Sequence, residues 1–473
     1  MKLRSLITQF MVMLGLLAGS GFLSVGCQRN ESVQAYKTES DQCSQERSQK
    51  IDIEFYIDAS RSMRGFHAET QPYYENHFID LLSRIDGVLK TAWPSVEVHY
   101  WKFGGGAPQR ISSIREFSMQ SGLFTETTTR IDNAIHHDVK PVAGRSQIRI
   151  ILTDLFQDEQ DVGRLATELS NAYLHNEESG VGILGIRNAF SGPMFDLPGS
   201  LPNGGTDSLP FYLLVAGPVM DVHLAMETIA GHMKVDQLPD DKYLHVVFCR
   251  RPVPGLMQHL KVGAAPPRAT GFTVSSSMVH GARELAIPQI AVFRREVRLK
   301  QSFYLSREDA GHVSRRPLGV VLKMEPSIWV WAPQRKEWVP APAVAAEAFQ
   351  LKSADHLNAD TQDPVQSPNE GEADYLVSTG ELTIDARSLP KNSIYLVRYD
   401  LLARKGEVSG VASWNLEYRD ARRIVQNRQF ERLNDGSRPG RTPSLRFFLQ
   451  TISDATFQSD VLLAHYYLYV KVV

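Results

Sequence analysis

The chain has 473 residues with a net charge of −2, and 22% of its residues are charged. That length suits two or three domains. Nucleic-acid recognition needs a concentrated basic face, and this near-neutral balance argues against it.

Taken from the start, residues 1–26 read as a targeting segment. Lys2 and Arg4 give a short basic start, and Phe10 to Leu23 (FMVMLGLLAGSGFL) is an apolar core too short to span a bilayer comfortably as a permanent helix. The small residues before Cys27 resemble a bacterial lipobox, although Ser24 stands where Leu is usual and Leu23 sits one place further out. Two readings stay open. Either the chain is cut before Cys27, which becomes a lipid-modified N-terminus, or an ordinary signal peptidase cuts nearby. Under the first, Gln28 in the place of an Asp retention signal points to an outer-membrane lipoprotein facing periplasm or exterior. Cleavage removes two basic residues and no acidic ones, leaving the mature chain more negative. Residues 27–50 are polar without a hydrophobic period, as a flexible tether is. Cys43 and Cys249 form a disulfide or stay as two thiols; an oxidising compartment permits the bond.

Residues 51–235 alternate strand and helix periods, which predicts a doubly wound, mostly parallel α/β sheet. Ile51–Ile57 is an apolar, β-rich run ending in Asp58. Phe78, Leu81, Leu82, Ile85, Val88, Leu89 and Ala92 recur at helical spacing. Val96–Phe103 alternates as a strand, Ile111–Phe117 suits a short edge strand, and Ile131–Val139 reads as a helix. Ile148–Leu152 is a second apolar strand leading into Asp154. A helix with Val162, Leu165, Ala166, Leu169 and Tyr173 on one side follows. Residues 181–186 and 211–216 suit buried parallel strands, and a helix near 220–232 closes the pattern.

The chemistry concentrates at the strand ends. In a parallel sheet flanked by helices, ligands collect outside the carboxyl ends of the strands, so Asp58 and Asp154 converge on one crevice. The run Asp58-x-Ser60-x-Ser62 places one acid and two hydroxyls in a single loop. Hard oxygen donors without imidazole or thiolate suit Mg²⁺ or Mn²⁺ and argue against zinc.

This D-x-S-x-S run, with Thr129 five residues before the Ala134–Ile135 pair and Asp154 after a hydrophobic strand, resembles the metal-ion-dependent adhesion site of von Willebrand factor type A domains. The resemblance covers roughly residues 51–235 and implies a Rossmann-like fold. It implies Ser60 and Ser62 as direct metal ligands and Thr129 as a switchable one, with Asp58 and Asp154 orienting bound water. It also implies a protein partner whose acidic side chain completes the metal's shell. Leu155 and Phe156 replace the family's usual Asp-Gly turn, which reads as a changed loop rim.

Residues 240–473 are β-rich. Strand-like runs such as YLHVVF, GVVLKM, SIWVWAP and HYYLYVKVV follow one another, and ELTIDARSLPKNSIYLVRYDL is similar to a stretch common in immunoglobulin-like sandwiches. Residues 353–375 read as a mobile insertion, and Leu445–Phe457 as one helix. Trp329, Trp331 and Trp338 offer either a binding platform or, more cheaply, one face of a packed hairpin. His136 and His137 are adjacent on a helix and make a poor metal pair. The run Arg419–Arg432 is mixed with acids, as a solvated surface is.

No G-x-S-x-G, H-E-x-x-H, P-loop or C-x-x-C occurs. The leading expectation is therefore a non-enzymatic, membrane-tethered protein that captures a partner through a Mg²⁺-type site. The alternatives are a metal-dependent hydrolase using the same pocket, or a passive envelope scaffold in which the β region makes the interactions.

Overall fold

The computed structural model describes residues 48–67, 76–155, 162–194, 201–203, 208–239, 241–250, 256–263, 271–274, 279, 287–307, 318–353, 375–409, 411, 414–416 and 442–473. The targeting segment, Cys27, Cys43, all but the end of the tether, the insertion between 353 and 375, and the run 419–432 lie outside them.

The first half runs β1 (Lys50–Asp58), α1 (His77–Ala92), β2 (Ser95–Phe103), β3 (Gln109–Ile111), α2 (Arg115–Met119), α3 (Ile131–Ile135), β4 (Ser146–Thr153) and α4 (Val162–Leu169). It continues with β5 (Ser179–Ala189), the ribbon β6 (Gly192–Met194) and β7 (Leu201–Asn203), then β8 (Ser208–Pro218), α5 (Val219–His232) and β9 (Tyr243–Cys249). Seven strands form one sheet in the order β3-β2-β1-β4-β8-β5-β9. Central β1 is buried on both faces. Ile51, Ile53, Phe55 and Ile57 pack with α1 and α5, while Tyr56 faces the opposite layer. The α1 start is fixed by Asn76, whose side chain accepts the Ile79 N–H at 3.0 Å.

The sheet is mixed, which corrects the expectation of a doubly wound, mostly parallel one. β1 is parallel to β2 and β4, but β8 runs antiparallel to both β4 and β5, and β9 antiparallel to β5. The described residues between β5 and β8 form only the β6–β7 ribbon. Strands joined without a helical crossover return antiparallel, whereas an apolar run records burial and not direction. Two smaller differences follow local chemistry. The edge strand stops at Ile111 and the chain turns into α2. Helix α3 stops at Ile135, where the Arg149 guanidinium donates to the carbonyls of Ala134, Ile135 and His137 in place of a further turn.

The second half contains β10 (Leu256–Val262), β11 (Phe272–Val274), β12 (Gln289–Val292), β13 (Glu296–Arg307), β14 (Val320–Ala332), β15 (Glu337–Pro340), α6 (Ala343–Glu347) and β16 (Phe349–Ser353). Then come β17 (Tyr375–Asp385), β18 (Ile394–Lys405), β19 (Asn415–Leu416), β20 (Thr442–Pro443), α7 (Leu445–Thr456) and β21 (Val461–Val472). Sheets β10-β13-β17-β16 and β11-β12-β21-β18-β14-β15 face each other over one core. Leu299, Phe303 and Leu382 come from the first sheet, Val397, Tyr399 and Tyr466 from the second. The half is thus β-rich, as its alternation predicts. Trp331 and Trp338 meet across the β14–β15 hairpin at 5.5 Å between ring centroids, and Trp338 packs on Tyr469. They are partly buried, as members of a packed hairpin face are.

The two halves share a core. Leu165, Ala166 and Leu169 of α4 pack with Leu445, Phe448, Leu449 and Ile452 of α7, so a helix from the far end of the chain covers part of the first sheet. Strand β9, read from sequence with the β-rich half, is the edge of that sheet and carries Cys249, which is buried with its Sγ 4.0 Å from the His223 Nε2.

Candidate metal centre

The parallel trio β2, β1 and β4 ends on one side of the sheet, and the oxygen-bearing residues gather there. Asp58 closes β1. One carboxylate oxygen, Oδ1, accepts the Ser60 N–H at 2.9 Å, which folds the D-x-S-x-S loop back on its own acid. The other, Oδ2, accepts the Thr153 hydroxyl at 2.9 Å. Thr129 donates to Oδ1 at the long distance of 3.5 Å. The Ser60 and Ser62 hydroxyl oxygens lie 2.9 Å apart.

A second loop lies alongside. Ser60 bridges to Glu126 in parallel fashion, with Arg61 N–H donating to the Glu126 carbonyl and Glu126 N–H to that of Ala59. Gly104 and Gly105, at the end of β2, admit this loop. A Cβ on Gly104 would stand 2.6 Å from the Glu126 Cβ, and one on Gly105 would stand 2.0 Å from the Thr128 Oγ1. Arg130 N–H then donates to the Gly104 carbonyl and the Asn133 amide to that of Gly106, which seats Thr129 against Asp58.

Asp154 follows the last residue of β4. In the β1–β4 register Ile57 stands opposite Leu152, so the two aspartates emerge one residue out of step on neighbouring strands. Asp154 is buried, and burial, aided by its charge, pushes the neighbouring Tyr212 phenol well above its ordinary pKa. Leu155 adopts the left-handed backbone at φ 60°, a region that costs a non-glycine residue about 1 kcal/mol or more. Its N–H donates to the Thr153 hydroxyl at 3.2 Å, and its side chain is buried with Leu165, Leu445 and Phe448.

Four of the five sequence-derived residues, Asp58, Ser60, Ser62 and Thr129, are therefore joined by direct contacts, and Asp154 lies beside them by strand register. Thr153 was missed. A threonine ending a buried strand is ordinary by composition, and only its position opposite Asp58 in a parallel pair points to a role.

The donor set fits a small hard cation. Neighbouring corners of an octahedral Mg²⁺ shell, with oxygens about 2.1 Å from the ion, stand about 3.0 Å apart. The Ser60 and Ser62 hydroxyls share a hydrogen bond, and their 2.9 Å separation lies close to that edge. Both Asp58 oxygens accept hydrogen bonds from neutral groups, which suits a carboxylate that orients the shell. All five side chains are closed off, with exposures of 0% for Asp58 and Thr129, 2% for Ser60 and Asp154, and 4% for Ser62. Among the described residues these five side chains present no broad face to a partner's carboxylate.

Among the described residues one group of acid and imidazole side chains can also hold a metal ion, and sequence reading did not foresee it. Ligand atoms of Asp52, Glu97 and His99 lie within 4.8 Å of one another near the opposite end of β1 and β2. A cation already sits there, since the Arg145 guanidinium is 2.5 Å from Asp52 and 3.6 Å from Glu97. Of the two places, the oxygen-only cluster is the better fit to Mg²⁺.

A partly buried polar network lies near α3. The Trp101 indole donates to Glu54 at 2.6 Å, and the Tyr56 hydroxyl lies 3.0 Å from the His137 Nδ1. Burial, then the Arg149 charge, lowers the His137 pKa, which favours the neutral ring. His136 instead points to Glu168, 3.1 Å away, so the adjacent histidines do separate tasks. Compared with protein-family models, curated proteins and solved structures, the chain matches none.

Proposed function

We propose that this protein binds Mg²⁺, or Mn²⁺, through Ser60, Ser62 and Thr129, with Asp58 and Asp154 orienting the remaining shell, and uses that ion to capture a protein partner. One observation carries the reading: the 2.9 Å Ser60–Ser62 oxygen pair, folded over Asp58 at the ends of parallel strands. The likeness to von Willebrand factor type A domains supports a partner that presents an acidic side chain. The basic start, short apolar core and small residues before Cys27 support a lipid-tethered, outer-membrane protein of the bacterial envelope. The likeness of residues 381–401 to an immunoglobulin-like strand pair supports a sandwich of that kind in the second half.

The near-complete burial of the site favours a second reading, in which the ion clamps the loops and the β-rich half makes the interactions. The two differ in a capture experiment with a partner cross-linked in an envelope extract. Metal-dependent capture predicts loss of binding in EDTA and in Asp58→Ala, with rescue of the wild type alone by excess Mg²⁺. Binding unchanged in both overturns it in favour of the clamp. Phosphoester turnover that vanished in Ser60→Ala would overturn both and favour the hydrolase.

A further inference from the structure

We propose that the groove between α1 and the β2–β3 edge is a binding site for a small phosphate-bearing molecule. It encloses about 560 Å³, within the range of small-molecule sites. None of the proposed metal ligands lines it.

Its charge is one-sided. Arg84, Lys90, Arg110 and Arg115 line it against a single carboxylate, Asp86. That carboxylate is committed, accepting Lys90 at 2.8 Å and the Tyr100 hydroxyl at 2.6 Å. Arg84 is committed as well, lying 2.9 Å from Asp80. Among the described residues Arg110 meets a histidine nitrogen, His99 Nδ1 at 3.1 Å, and the Trp101 ring. Among the described residues no carboxylate pairs with Arg110 or Arg115. The Ser112 hydroxyl donates to Glu116, 3.3 Å away, at the rim, but the two guanidinium forks beside Ser113 match the oxygens of a phosphate, which Arg binds bidentately. Ser113 accepts the Arg115 N–H at 3.2 Å, so its hydroxyl hydrogen remains available to donate.

Gly87 is the second observation. Glycine within a helix destabilises it, and close packing is the usual reason to keep one. Here nothing lies within 4 Å of where a Cβ would stand. Gly87 is exposed and lines the groove with Ser83 and Lys90 along one face of α1, so a longer side chain there would reach into it.

The test is calorimetric titration of the full mature chain at fixed ionic strength with pyrophosphate, inorganic phosphate and citrate, alongside phosphatidylglycerol vesicles. The proposal predicts saturable pyrophosphate binding that weakens at least tenfold in the Arg110→Gln, Arg115→Gln double variant. It predicts loss of that binding in Gly87→Leu, whose ligand-free thermal stability equals or exceeds the wild type because leucine favours the helix. Ser60→Ala should bind pyrophosphate as the wild type does. No saturable binding, equal affinity in these groove variants, citrate binding as tight as pyrophosphate, or binding to vesicles alone would each overturn it.

Discussion

The donors that hold Asp58 include the Ser60 N–H, the Thr129 hydroxyl and the Thr153 hydroxyl. A buried carboxylate is costly unless its oxygens are satisfied, so each donor acts on stability as well as on the site. Thr153→Val keeps the shape and removes one donor. Leaving that oxygen short should cost about 1–3 kcal/mol, read by urea unfolding in EDTA, and should weaken the response to Mg²⁺. An unchanged unfolding midpoint would mean that water or another group replaces the hydroxyl. Residue-scale legibility follows from locality. Asp58, Ser60 and Ser62 could be read because a strand and its own loop carry them. Thr129 needed a spacing rule, and Thr153 needed the neighbouring strand.

At the scale of elements, the glycines ending β2 decide how closely the Thr129 loop can approach. Gly104 faces the Glu126 side chain down to its Cβ, which cannot swing away as a side-chain tip can. Gly104→Ala should therefore displace that loop, costing about 1–3 kcal/mol as overpacking does. It should lower Mg²⁺ affinity more than Gly106→Ala, where a Cβ meets nothing within 4 Å. Equal affinities in the two variants would remove the glycines from the site. Helices α1, α4 and α5 were legible because apolar residues recur at their period over long stretches. Strands β5 and β8 were legible as strands but not in direction, since VGILGI and FYLLVA read alike in either sense. The missing helical period between them was the available signal.

Across the whole molecule, α7 ties the halves together. Phe448 is fully buried in the cluster that also holds Leu155, the residue after Asp154. Phe448→Ala should cost about 3–5 kcal/mol and lower the unfolding temperature of the α/β half along with that of the β-rich half, followed by near-UV and far-UV signals. Two separate transitions, with only one displaced, would show that the halves are independent. No sequence pattern announces this contact, because α4 and α7 each carry an ordinary apolar stripe and nearly three hundred residues separate them. The membership of β9 in the first sheet was hidden for the same reason.

The central claim is that Ser60 and Ser62 hold a divalent ion. A Mg²⁺ titration of thermal stability tests it most directly, comparing wild type with Ser60→Ala and with Glu97→Gln, which alters the other candidate group. A ligand that binds only the folded state stabilises it by about 2.7 kcal/mol at a hundred times its dissociation constant. The account predicts a rising unfolding temperature in wild type and Glu97→Gln, and a flat line in Ser60→Ala. A flat wild-type curve, or the same rise in Ser60→Ala, would contradict it.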